Sequence, residues 1–156
     1  MWCVRVVGAG VAAVLAVTGA ASGAGAVAEP EADLAYHGVA ELSLGRVDLR
    51  LTPRNHGPAA VEDATVRLRW SEPLANRQWL PEGCARSGAR AVLCRVGALE
   101  ADEVGEGIEV RVWLEGAPSE VLLEIDTVWS GGAVDRNRDN DRQRVLVLDT
   151  GDTYYF

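Results

Sequence analysis

The run Asp135-Arg136-Asn137-Arg138-Asp139-Asn140-Asp141 is the densest group of side chains in the sequence that could do chemistry. Its alternate residues Asp135, Asn137, Asp139 and Asp141 all carry side-chain oxygen. That spacing resembles the opening of a calcium loop, because hard Ca²⁺ takes several carboxylate or carbonyl oxygens. A complete EF-hand loop is excluded. Its sixth position is Asn140 where the turn needs glycine, and its twelfth is Leu146 where a bidentate Glu would close the shell. Two interleaved arginines also offset the negative charge. The competing reading is an Asx-rich turn whose side chains bond nearby backbone N–H groups, and the sequence favours it. Calcium is carried forward as the one cofactor that the chain could hold.

Other reactive groups are sparse. Glu100, Asp102, Glu103 and Glu106 form an acidic patch, and a carboxylate pair there could in principle act on a glycosidic bond. The flanking Gly105 and Gly107 instead describe a solvated loop. The two histidines, His37 and His56, sit near a strand start and in a turn, apart from any distinctive nucleophile context, so nothing supports a Ser-His-Asp arrangement. No G-x-S-x-G, H-E-x-x-H or phosphate-loop pattern occurs after residue 28. No catalytic residue is assigned, and the expectation is a protein that is not an enzyme.

The tryptophans point to binding. Trp70 continues the apolar face of an alternating segment and reads as core. Trp113 falls on the outward phase of its segment, and Trp79 lies in an irregular stretch before Leu80-Pro81. An exposed Trp can stack on a sugar ring or anchor a protein partner. The segment Tyr154-Tyr155-Phe156 adds three aromatics that could serve as a recognition tail, lie along a partner's sheet edge, pack back onto their own domain or fray. Trp79, Trp113, Tyr154, Tyr155 and Phe156 are therefore the candidate partner-binding residues.

Cysteine usage and the leader set the compartment. Arg5, the apolar run from Val6 to Val17 and the Ala26-Val27-Ala28 site describe a secretory signal over residues 1–28. The apolar run is shorter than the roughly 20 residues that a membrane span needs. Cys3 falls inside that leader, which leaves Cys84 and Cys94 as an even pair in an exported chain, read as a disulfide. The full sequence of 156 residues has 15 Lys plus Arg, every one an Arg, against 23 Asp plus Glu, a net charge of −8. No basic stripe for nucleic acid or anionic lipid exists in such a chain. The expected product is a secreted chain of one domain, with an extracellular protein or cell-envelope glycan as partner and a monomer as its state.

The elements that must position these residues are short strands. Val47, Leu49 and Leu51 alternate with Arg46, Asp48 and Arg50; Val66, Leu68 and Trp70 share one face; Ile108, Val110, Val112 and Leu114 oppose Glu109, Arg111 and Trp113. Further alternations cover Val39–Leu44, Ala91–Val96, Val121–Ile125 and Arg144–Leu148. No segment after the leader holds a helical period. About seven strands separated by turn residues predict an all-β, immunoglobulin-like antiparallel β-sandwich over residues 36–149. Residues 29–35, acidic and containing Pro30, are expected to be a flexible lead-in, and residues 150–156 an aromatic tail.

The order of these motifs resembles a known family. An alternating strand runs into Asn55-His56-Gly57-Pro58; later come Leu80-Pro81-Glu82-Gly83, Cys84, Cys94-Arg95-Val96-Gly97-Ala98-Leu99 and the Asp135–Asn140 loop. This is similar to the bacterial immunoglobulin-like repeat called domain of unknown function eleven, related to the cell-adhesion-related domain of bacteria. The resemblance covers roughly residues 44–148. It departs from the family at Asp141, where a second Asn is usual, and in being a single copy. It implies an immunoglobulin-like sandwich with a structural or adhesive role and no catalytic residues.

Overall fold

The computed structural model describes residues 29–156, so the leader read at 1–28 lies outside the described residues. The described chain is all-β. Its strands are β1 (Glu31–Ala32), β2 (Leu34–Ser43), β3 (Arg46–Asn55), β4 (Thr65–Trp70), β5 (Cys84–Arg86), β6 (Ala91–Arg95), β7 (Ile108–Trp113), β8 (Glu120–Trp129), β9 (Val134–Asp135), β10 (Arg142–Leu148) and β11 (Tyr154–Tyr155). They form two antiparallel sheets, ordered β10-β8-β4-β6-β5 and β11-β2-β3-β7, and a small parallel pair of β1 with β9. No helix among the described residues is long and apolar enough to cross a membrane.

The alternation in sequence becomes the division between core and surface, because successive strand side chains point to opposite faces. Leu42, Val47, Leu49, Leu51 and Val110 of one sheet meet Leu68, Trp70, Leu123 and Ile125 of the other in one apolar cluster. Trp70 is buried, as its phase predicts. The hairpin between β2 and β3 turns on Leu44-Gly45, both with positive φ, 50° and 79°. This is the backbone of a two-residue hairpin turn that matches the twist of the strands and ordinarily selects Asn-Gly.

One expectation about the ends is corrected and one alternative is resolved. Residues 29–35 are not a flexible lead-in: β1 pairs with β9, and Ala32, Leu34 and Ala35 are each 1% exposed. The acidic residues set the composition of that stretch, but Ala32 and Leu34 alternate with Glu31 and Asp33, which is enough to pin it to the core. Of the alternatives open for residues 150–156, the structure shows the chain packed back onto its own domain. β11 pairs with β2, and Phe156 exchanges both backbone hydrogen bonds with Gly38, at 3.1 and 3.0 Å. Gly38 makes room for this, because a Cβ there would lie 2.8 Å from the Phe156 ring.

Cys84 and Cys94 face each other across β5 and β6 and are bonded, with S–S 1.99 Å. The bridge closes a loop whose ends are ten residues apart. Reduction is expected to destabilise the fold by about 2.7 kcal/mol, the loop-closure entropy returned to the unfolded chain. Urea unfolding with and without reductant measures this; coincident curves would show that the bridge adds no stability.

Candidate ligand-binding face

The outward face of the β11-β2-β3-β7 sheet collects most of the exposed functional groups. Register decides its composition. Glu41, Asp48 and Arg111 lie in one row across β2, β3 and β7; Tyr155, Val39, Arg50 and Glu109 form the next; Ser43, Arg46 and Trp113 form a third. The inward partners of these rows are the core residues Ala40, Leu42, Val47, Leu49, Val110 and Val112. The floor is a net of ion pairs. Asp48 accepts from Arg46 Nε at 2.8 Å and also from Arg111 Nε, and Arg50 lies 3.7 Å from Glu109. Glu41 accepts a hydrogen bond from Thr153 Oγ1 at 2.6 Å.

Beyond β7 the irregular stretch after β4 builds a wall. The Gln78 side chain behaves as a missing strand residue: its Oε1 accepts from the Trp113 N–H at 3.0 Å and its Nε2 donates to the Trp113 carbonyl at 2.7 Å. The Ala75 N–H donates to the same carbonyl at 2.8 Å. Arg86 braces this stretch, donating to the carbonyls of Leu74 at 2.9 Å and Ala75 at 2.8 Å. Leu80 packs against the core. Trp79, between two anchored neighbours, projects with 78% of its surface exposed. It borders two concavities. One, about 540 Å³, lies over the floor and includes Glu41, Asp48, Arg50, Glu109 and Arg111. The other, about 400 Å³, lies around Leu44, Arg77 and Trp113.

The structure therefore brings three of the five aromatic candidates to one face. Trp79 and Trp113 share the smaller concavity, and Tyr155 stands 80% exposed at the opposite edge of the sheet. Tyr154 and Phe156 do not join them; both are half-buried and pack against the core, because strand alternation and the Gly38 pairing turn them inward. Leu44 was not singled out by sequence reasoning. It is 82% exposed in a left-handed conformation that non-glycine residues rarely adopt, held there by its N–H bonds to the Asp149 carboxylate at 3.3 Å. The signal was present in the sequence as Leu-Gly between two alternating strands.

The 135–141 run is an Asx-rich lock. Asp135 accepts from the backbone N–H of Leu34 at 2.9 Å and of Asn137 at 3.0 Å. Asn137 and Asn140 both donate to Asp33 Oδ1, at 3.2 and 2.7 Å. Asp141 is fully buried, with Arg138 Nη1 2.8 Å from its Oδ2. Burial pushes its carboxyl up to about 6; Arg138 opposes the rise and Asp135 adds to it. Burial likewise pushes the Tyr36 hydroxyl up to about 12, against its hydrogen bond with Thr127. Among the described residues no group of three or more His, Cys, Asp or Glu is placed to hold a metal ion. Asp135 and Asn137 are spent on separate partners, and the Arg138 guanidinium lies against the Asp141 carboxylate. Within the Glu100–Glu106 patch, Glu103 accepts from the Glu100 N–H at 2.7 Å and Asp102 lies 3.5 Å from Arg54.

No family model and no curated protein matches the chain, so the family resemblance rests on its motifs alone. Among solved structures the chain is similar to the β-glucosidase EmGH1 from Erythrobacter marinus, with 18% identity and a TM-score of 0.41. The match covers 75% of this chain and 15% of that one, and a likeness at that level bears on neither activity nor ligand.

Proposed function

We propose that the protein is an exported, non-catalytic binding module that takes a cell-envelope or extracellular glycan on the outward face of the β11-β2-β3-β7 sheet. The observation that carries this reading is Trp79, 78% exposed yet fixed by anchored neighbours on the wall of a charged groove. An indole presents a large apolar face that can cover the C–H face of a pyranose. The groove's carboxylates accept from sugar hydroxyls and its guanidinium groups donate to them. A protein partner fits less well, because the buried centres of protein interfaces are depleted of charge, whereas hydroxyls replace water on charged groups one for one. The leader and the cystine support an extracytoplasmic setting.

Isothermal titration against a panel of soluble oligosaccharides tests the reading. Trp79→Ala is expected to weaken binding about tenfold or more, the loss of one buried aromatic anchor, with the urea midpoint unchanged because the ring packs on little in the free protein. Equal affinity of Trp79→Ala and wild type for every sugar that binds would overturn it.

A further inference from the structure

Resting on that reading, we infer that the ligand is an uncharged glycan chain of several rings that crosses the strands from Tyr155 to Trp79. Two independent observations carry the inference, one of charge and one of spacing. On the floor, Arg46, Arg50 and Arg111 stand against Glu41, Asp48 and Glu109, three cations to three anions. The cations are committed to these partners, Asp48 alone taking two of them. The floor therefore has no surplus positive charge to hold a polyanion, and Arg77 at the smaller concavity is a single added cation beside Trp79. The sequence as a whole carries −8, so an anionic chain would also approach against the field of the protein. A neutral, hydroxyl-rich chain meets neither penalty, and a self-neutralised net of donors and acceptors suits it.

The spacing sets the length. Tyr155 on β11 and the wall beyond β7 are separated by three interstrand steps, from β11 to β2, β3 and β7. At about 4.8 Å each these span roughly 14 Å before Trp79 is reached. One sugar ring cannot touch both aromatics. Tyr155 is 80% exposed and lies beside Val39, which itself lines the groove, so the two ends belong to one continuous surface.

The test compares neutral cellohexaose, chitohexaose and maltohexaose with anionic hexagalacturonate and with glucose, by titration calorimetry on the wild type, Trp79→Ala and Tyr155→Ala. The expected result is a neutral hexasaccharide that binds with an affinity changed less than about twofold between roughly 0.05 and 0.5 M NaCl. It should be weakened about tenfold by Trp79→Ala and about threefold by Tyr155→Ala. Hexagalacturonate binding at least as tightly, Trp79-dependent and lost with salt, would overturn the uncharged class and leave the glycan reading standing. Glucose binding as tightly as the hexasaccharides, or an inert Tyr155→Ala, would overturn the extended chain. Failure of every sugar to bind would overturn both this inference and the reading beneath it.

Discussion

Asn55→Ala is expected to destabilise the protein by about 4 kcal/mol. Asn55 is completely buried, and its side chain makes four hydrogen bonds. Its Oδ1 accepts from the N–H groups of Asp33 at 3.2 Å and Gly57 at 2.9 Å. Its Nδ2 donates to the carbonyls of Ala59 at 2.8 Å and Glu100 at 3.1 Å. One amide thereby ties together the start of β2, the turn after β3 and the loop before β7. Truncation orphans the Asp33 and Gly57 N–H groups and the Ala59 carbonyl, while the Glu100 carbonyl keeps the Glu103 N–H at 3.3 Å; three orphans at about 1–3 kcal/mol each put the loss of about 4 kcal/mol in the lower half of the range. Gly57 belongs to the same knot, since a Cβ there would lie 2.5 Å from the Asp33 nitrogen. Urea unfolding at constant m measures the effect. A loss below about 1 kcal/mol would show that solvent or rearrangement satisfies the orphans. Asn55→Asp provides the finer check. It keeps the acceptor but sets a carboxylate against two carbonyls, so it should recover part of the stability as pH falls and the carboxylate gains a proton.

This knot marks the limit of what the sequence discloses. Asn55-His56-Gly57-Pro58 is legible as a turn from residue type alone, but three of the four Asn55 partners come from outside that tetrapeptide. The strands were legible wherever one face is wet: Val47, Leu49 and Leu51 alternate cleanly because Arg46, Asp48 and Arg50 lie on solvent. The start of β2 was not. Leu34, Ala35 and Tyr36 are buried in succession, so the period that identifies a strand is absent there. Trp79 could be flagged as an aromatic in an irregular segment, yet its exposure depends on Gln78 reaching Trp113, 35 residues away. The meeting of Tyr155 with Trp79 and Trp113 on one face depends on strand order, which pairs the last strand with the second. Local pattern encodes which side of a strand is wet; it does not encode which strands are neighbours.

The second large effect is a stability that falls as pH rises, with Asp141 as its source. Burial of this carboxyl costs more than the Arg138 ion pair and the nearby Thr127 side chain return. Its carboxyl titrates at about 6 in the fold, against an ordinary value of 3.8. The folded state thus binds the proton more tightly than the unfolded one. Below pH ~4 both states are protonated and the contribution is fully present. As pH rises through about 6 the folded carboxylate ionises in a dry site and the contribution is lost. Two pKa units correspond to about 3 kcal/mol at most, opposite in sign to ordinary acid denaturation. Asp141→Asn removes the ionisation, and Arg138, 38% exposed, can turn to water. The variant is expected to gain about 2–3 kcal/mol near pH 7.5 and nothing near pH 4. Urea unfolding of both proteins at the two pH values decides it, and a variant no more stable than wild type near pH 7.5 would refute the account. Calcium supplies the contrast. A cation that needed the ionised Asp141 would raise the wild-type melting temperature with ligand concentration and leave Asp141→Asn unmoved. The Asx lock, with Arg138 already beside the carboxylate, predicts that saturating Ca²⁺ shifts neither.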